Sequence, residues 1–130
     1  MKHIEVVAAI IKLHNKILCV QRNENKYEYI SKKYEFPGGK IEIGESKIEA
    51  LKREIEEELN MEITIQDEFL TVEHQYPDFK LTMYSFNCLA KNDKITLTEH
   101  IAFQWLPKSE LANLDWAEAD IPIVDKLMKS

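Results

Sequence analysis

Residues 39–61, GKIEIGESKIEALKREIEEELNM, decide how this chain is read. Ser46 followed by Glu49 has the form of a capping box, so a helix is predicted to begin at Lys47. Asn60, which tolerates the left-handed conformation, is the expected terminator. Ile48, Leu51, Ile55 and Leu59 make an apolar stripe that would seat the helix on a core. At 3.6 residues per turn, Glu54 and Glu58 stand one above the other with Glu57 beside them, while Glu56 points away as an ordinary solvated acid. Like charges this close on a helix repel. A cation offsets the repulsion, and hard carboxylate oxygens suit Mg²⁺ or Mn²⁺. The helix is therefore a candidate metal platform.

Working outward, Phe36-Pro37-Gly38-Gly39-Lys40 reads as a flexible backbone able to approach a metal or phosphate closely. Strands are predicted at residues 6–11 and 16–21 around a turn at His14-Asn15. A polar loop, residues 23–33, should lie near the site. Residues 63–75 and 79–90 alternate as a hairpin turned at Tyr76-Pro77-Asp78. Short strands are expected at 95–97 and 101–106, a short helix at 109–114, and a terminal helix at 117–128 with Pro122 near its start. These elements make an α/β (α+β) chain, without specifying its topology.

Composition narrows the class. A chain of 130 residues is expected to form one domain, residues 1–130, with a proper core. Its 45% hydrophobic and 31% charged residues are those of a globular protein, not a disordered one. No apolar run approaches a membrane span, and the start MKHIEVVAAIIK lacks a small-residue cleavage site, so no membrane partner and a cytoplasmic location are expected. Cys19 and Cys88 lack paired spacing and read as buried reduced thiols. A net charge of −6 argues against a nucleic-acid polymer as partner. It leaves room for a small-molecule nucleotide, because bound divalent ions invert the local field. Monomer and homodimer both stay open.

The stretch resembles the Nudix box, the signature of hydrolases acting on nucleoside diphosphates linked to some other group. Its places hold Gly39, Glu45, Arg53, Glu54, Ile55, Glu57, Glu58, Asn60 and Met61; Asn60 stands where the family has glycine. The segments IEVVAAII, YEFPGGKIEIGE and ADIPIVDKL extend the similarity to small MutT-like members across nearly the whole chain. Two branches look closest, the 8-oxo-dGTP hydrolases and the pyrophosphohydrolases of CTP and 5-methyl-dCTP. The resemblance implies the Nudix fold, a mixed β-sheet sandwiched between α-helices. It implies Mg²⁺-dependent hydrolysis of a (d)NTP to (d)NMP and pyrophosphate, with water attacking the β-phosphorus, in nucleotide-pool sanitisation. Hydrolysis of ADP-ribose or a dinucleoside polyphosphate is the alternative within the enzyme class. A noncatalytic nucleotide sensor is the alternative outside it, although such proteins usually have eroded box carboxylates and none is eroded here.

The resemblance also suggests roles. Glu54, Glu57 and Glu58, with the Gly38 carbonyl, form the expected ligand set, and Glu99 in LTEHIAF is a further catalytic or ligating candidate. Either Glu57 or Glu99 would be the general base. Arg53 would orient a carboxylate through a forked hydrogen bond, and Glu45 would close the geometry near the helix N-terminus. Arg22 and Lys40 are phosphate-binding candidates, each alternatively a surface charge. Glu35 and Phe36 are candidates for the base pocket, Phe36 alternatively for the core. His100 reads as incidental. Asp120 can accept from the cytosine N4 amine, or from guanine N1–H and N2, or can cap the last helix. In the 8-oxoguanine branch an asparagine takes this place, whereas the cytosine branch resembles this chain in having Ala-Asp-Ile-Pro.

Overall fold

The run VVAAII has no polar face, as a strand buried on both sides requires. In the computed structural model, which describes residues 1–130, it is the middle of β1 (Lys2–Leu13). Val7, Ala9 and Ile11 enter the core on one face of the sheet, and Ala8 and Ile10 enter the core on the other. β1 is longer than its apolar run because it pairs in parallel with β6 (Phe79–Ala90) from Lys2↔Phe79 to Lys12↔Leu89. β6 also pairs antiparallel with β5 (Ile63–Gln75), with register shifts around Glu68. On its other side β1 meets β2 (Lys16–Gln21) through a turn in which His14 and Asn15 both take positive φ. β2 carries the two-residue β3 (Tyr34–Glu35) and β7 (Ala102–Leu106), and β4 (Gly38–Lys40) pairs with β1. The result is a mixed seven-stranded sheet.

One helix covers each face. α1 (Lys47–Leu59) packs Ala50, Leu51, Ile55 and Leu59 against Val7, Ala9, Ile11, Leu18 and Val20. α2 (Ile121–Lys129) packs Ile123, Val124 and Leu127 against the opposite layer, with Trp116 and Leu111. This is the expected mixed sheet between helices. Both ends of α1 form as their sequence requires: the Ser46–Glu49 capping box is complete, and Asn60 adopts φ 51° and ψ 43°. Cys19 and Cys88 are buried and free, and burial pushes both thiols up to about 12.

Four expectations change. Ile48 is 38% exposed and Ala50 takes its place in the stripe; in that first turn Lys47 meets the sheet instead, 3.8 Å from the Tyr84 ring. Gly38–Lys40 is a strand and not a flexible loop. Residues 95–97 form no strand, because the Thr96 and Thr98 amides bond the Leu59 and Glu58 carbonyls at the end of α1. The predicted terminal helix is two elements, a 3₁₀ turn at Glu118–Asp120 followed by α2, and 108–113 is 3₁₀ as well.

Candidate active site

The sheet, α1 and the segment before α2 enclose a cavity of about 390 Å³, within the range that holds small-molecule ligands. One wall is apolar, with Ile4 and Val6 from β1 and Phe79, Leu81 and Met83 from β6. Elsewhere the lining is polar and acidic, with Arg22, Glu35, Glu54, Glu58, Glu99, His100 and Asp120. Gly38, Gly39, Lys40 and Phe36 also line it, as do Tyr76 and, from the polar loop, Asn23, Glu24 and Asn25.

Glycine is needed at both positions of the pair for close approach. A Cβ on Gly38 would collide with the Val7 carbonyl across the β1–β4 pairing, and one on Gly39 would strike the Glu54 carboxylate. The helix carboxylates thus lie directly over the glycine strand.

Arg53 organises the acidic cluster. Its Nε and Nη2 donate to both oxygens of Glu45 (2.6 and 2.8 Å), Nη1 donates to Glu54 (2.8 Å) and Glu57 (3.3 Å), and Nη2 also donates to the Lys40 carbonyl (3.1 Å). The fork therefore falls on Glu45, which those hydrogen bonds hold down at about 2. Glu45 fixes Arg53, and Arg53 fixes Glu54.

Glu58 is the buried member, its side chain 8% exposed. Burial, then repulsion from Glu35, Glu54 and Glu99, pushes it up to about 9, partly offset by the Gly38 amide. Its Oε1 is buried with no hydrogen-bond partner. Glu54 is also raised, by burial and by repulsion from Glu57 and Glu99 against the pull of Arg53. Glu57 differs from expectation: its side chain is 60% exposed, and it stands on the rim, outside the cavity lining. No three acidic or histidine side chains are gathered into a ready cage. The orphaned Glu58 oxygen and the clustered charge nevertheless fit a hard divalent cation, which would relieve both.

Other candidates fall where the sequence left alternatives. Arg22 Nη1 donates to Glu35 Oε1 at 3.0 Å. Phe36 lines the cavity but stacks on Trp116, with ring centroids 4.7 Å apart. Lys40 is exposed at the mouth. Asp120 does not cap α2; its Oδ1 accepts the Phe36 amide at 3.0 Å. Its full burial, and then repulsion from Glu35, raise its carboxyl well above the usual range, against the Phe36 amide and Arg22. His100, read as incidental, is buried between Glu35 (2.9 Å) and Glu58 (3.7 Å). Tyr76 was also missed; its hydroxyl accepts the Ala119 amide at 3.0 Å, next to Asp120. Nothing in the local sequence marks these two, because their partners lie far along the chain.

An acidic helix laid over a glycine strand, beside a cavity, is an arrangement able to hold a cation next to a small anionic molecule. Residues 6–126 match the NUDIX domain, and the chain belongs to that family. It is a Nudix hydrolase, a pyrophosphohydrolase acting on small-molecule, diphosphate-linked nucleotides. Such enzymes generally use divalent cations, typically Mg²⁺. The CTP pyrophosphohydrolase of Escherichia coli K12 is 34% identical over 133 residues, covering 98% of this chain and 93% of its own. MutT of the Nudix family from methicillin-resistant Staphylococcus aureus 252 is 42% identical with a TM-score of 0.76, covering 99% of this chain and 98% of that one. The E. coli ORF135 protein is 32% identical with a TM-score of 0.83, covering 99% and 91%. No helix is long and apolar enough to cross a membrane.

Proposed function

We propose that the chain is a Mg²⁺-dependent nucleoside triphosphate pyrophosphohydrolase, releasing a (d)NMP and pyrophosphate, whose substrates are cytosine nucleotides such as CTP, dCTP or 5-methyl-dCTP. Asp120 is the proposed reader of the base. It lines the cavity, one oxygen held by the Phe36 amide, and burial favours its neutral form. A neutral carboxyl donates through one oxygen and accepts through the other. Cytosine offers the complementary edge, an N4 amine beside the N3 acceptor. Guanine presents N1–H and the N2 amine, two donors that call for an ionised carboxylate, and also O6 beside N1–H, which a neutral carboxyl meets as well. The 8-oxo-dGTP reading is placed second because the chain is 34% identical to a CTP pyrophosphohydrolase.

Glu54, Glu58 and Glu99, with Glu57 at the rim and the Gly38 carbonyl, would hold Mg²⁺, or Mn²⁺ by the same oxygen chemistry. When bound, the cation neutralises charge on the phosphate oxygens and lowers the pKa of water. Arg53 keeps Glu54 in place. Arg22 and Lys40 receive phosphate oxygens at the cavity mouth. Water attacks the β-phosphorus and its proton passes to Glu99 or Glu57; the bond from that phosphorus to the α–β bridging oxygen breaks, the (d)NMP leaves with the bridging oxygen, and the pyrophosphate carries the new one. Glu99 is favoured as the base because it lines the cavity and Glu57 does not. The role served is nucleotide-pool sanitisation.

Pyrophosphate release with Mg²⁺ across CTP, dCTP, 5-methyl-dCTP, dGTP, 8-oxo-dGTP and ADP-ribose tests the reading. Cytosine nucleotides should turn over best. Selective hydrolysis of 8-oxo-dGTP or ADP-ribose would overturn the base assignment, and binding without turnover would make the protein a sensor. Asp120→Asn, which keeps one donor and one acceptor, should retain most CTP turnover, whereas Asp120→Leu should lose it. Loss in both would mean that the carboxylate works ionised.

A further inference from the structure

Outside the box, one buried polar group bridges the two halves of the cavity. His100 Nε2 lies 2.9 Å from Glu35 Oε2 and 3.7 Å from Glu58 Oε2. The other Glu35 oxygen accepts from Arg22 at 3.0 Å. Arg22, Glu35, His100 and Glu58 all line the cavity, so the chain runs from the end assigned to phosphate to the end assigned to the cation.

The proton on the ring can be located. The one group within hydrogen-bond distance of Nε2 is the Glu35 carboxylate, and Nδ1 is buried with no partner. A proton on Nε2 therefore gains a charge-assisted bond, and the opposite tautomer would bury an unpaired donor. The backbone holds the ring in this place from both sides. On one side the Thr98 hydroxyl and amide bond the Glu58 carbonyl, at 3.1 and 3.2 Å. On the other the Ile101 amide bonds the Gln21 carbonyl at 3.0 Å, next to Arg22. His100 is thus fixed between the helix that carries Glu58 and the strand end that carries Arg22.

We propose that His100 is a positioning residue: its Nε2–H holds Glu35 between Glu58 and Arg22, and so sets where Arg22 meets the substrate phosphates. Without that donor, Glu35 and Glu58 face each other as bare carboxyl groups. Glu35 then moves from its place and takes Arg22 with it. Displacing a substrate-positioning group by about an ångström costs on the order of a hundredfold in rate. The role rests on the proposed triphosphate reaction, but the contact itself does not.

Two measurements separate them. In the metal-free protein, long-range ¹H–¹⁵N spectra should show His100 protonated at Nε2, with a ring signal that moves in Glu35→Gln. Protonation at Nδ1 would overturn the bridge whatever the enzyme hydrolyses. In steady-state assays with CTP and Mg²⁺, His100→Leu should lower kcat by roughly ten- to a hundredfold with a smaller change in KM. His100→Gln, whose amide nitrogen can occupy the place of Nε2, should recover to within about threefold, and His100→Asn, which is too short, should not. The effects of His100→Leu and Glu35→Gln should combine to less than their product. Wild-type kinetics in His100→Leu, or equal kinetics in the Gln and Asn variants, would overturn the role. If His100→Leu fails to fold, the Gln–Asn pair decides alone. A wild-type protein inert on CTP but protonated at Nε2 would sink the substrate reading and leave the contact standing.

Discussion

At the scale of single residues, Glu58 and Arg53 show how one cluster carries opposite electrostatic biases. Glu58 is held protonated up to about 9, mainly by burial, whereas a free glutamate ionises near 4.5. Between those values the folded chain binds a proton that the unfolded chain has released, so stability falls as pH rises through the window. Below about 4.5 both states are protonated and the contribution is complete. Thermal unfolding in EDTA should therefore show wild type losing stability from pH 5 to pH 8.5. Glu58→Gln should lose less; Asp120 acts in the same direction, so the slope shrinks without vanishing. Identical slopes would mean that Glu58 is charged in the folded chain. Arg53 works the other way, gathering charge instead of excluding it. Arg53→Lys keeps the charge but not the fork that joins Glu45, Glu54 and the Lys40 carbonyl. Its kcat should drop by roughly a hundredfold, a figure set by loss of orientation; activity near that of wild type would show that Glu54 needs no guide.

Between elements, the two adjacent glycines should separate stability from activity. Gly38→Ala drives a methyl group into the Val7 backbone, which cannot yield without opening the β1–β4 pairing. It should lose about 1–3 kcal/mol of stability, as overpacked sites do, read by thermal unfolding. The nearest atoms to a methyl group in Gly39→Ala are those at the tip of the Glu54 side chain, which can rotate away. That variant should unfold near the wild-type temperature yet turn over poorly. A Gly39→Ala enzyme of full activity would remove Glu54 from the mechanism. The turn before α2 offers a second case. Tyr76→Phe leaves the buried Ala119 amide without its acceptor, at a cost of about 1–3 kcal/mol. Since Asp120 follows directly, CTP turnover should fall with it, while secondary structure stays unchanged by circular dichroism.

At the scale of the whole molecule, the acidic cavity couples cation binding to folding. Bound Mg²⁺ stabilises by mass action, about 2.7 kcal/mol at a hundred times its Kd. The unfolding temperature should rise with Mg²⁺ in the wild type and respond weakly in Glu54→Gln and Glu58→Gln; an unchanged response would place the cation elsewhere. Much of this was legible in the chain itself. α1, its capping box, its Asn60 terminator and the facing carboxylates depend on residues within one or two turns, which is why local spacing specified them. So did the β5–β6 hairpin, whose alternation and turn are short-range. By themselves these 130 residues determined the family, the acidic platform and the alternation that sets the faces of the sheet. Only the tertiary structure decided that Gly38–Lys40 is a strand, that residues 95–97 cap a helix instead of joining the sheet, and that Asp120 holds the Phe36 amide. It alone set His100 between Glu35 and Glu58. Each of these contacts joins residues tens of positions apart, and burial, which raises Glu58 and Asp120, exists only once the chain has closed around them.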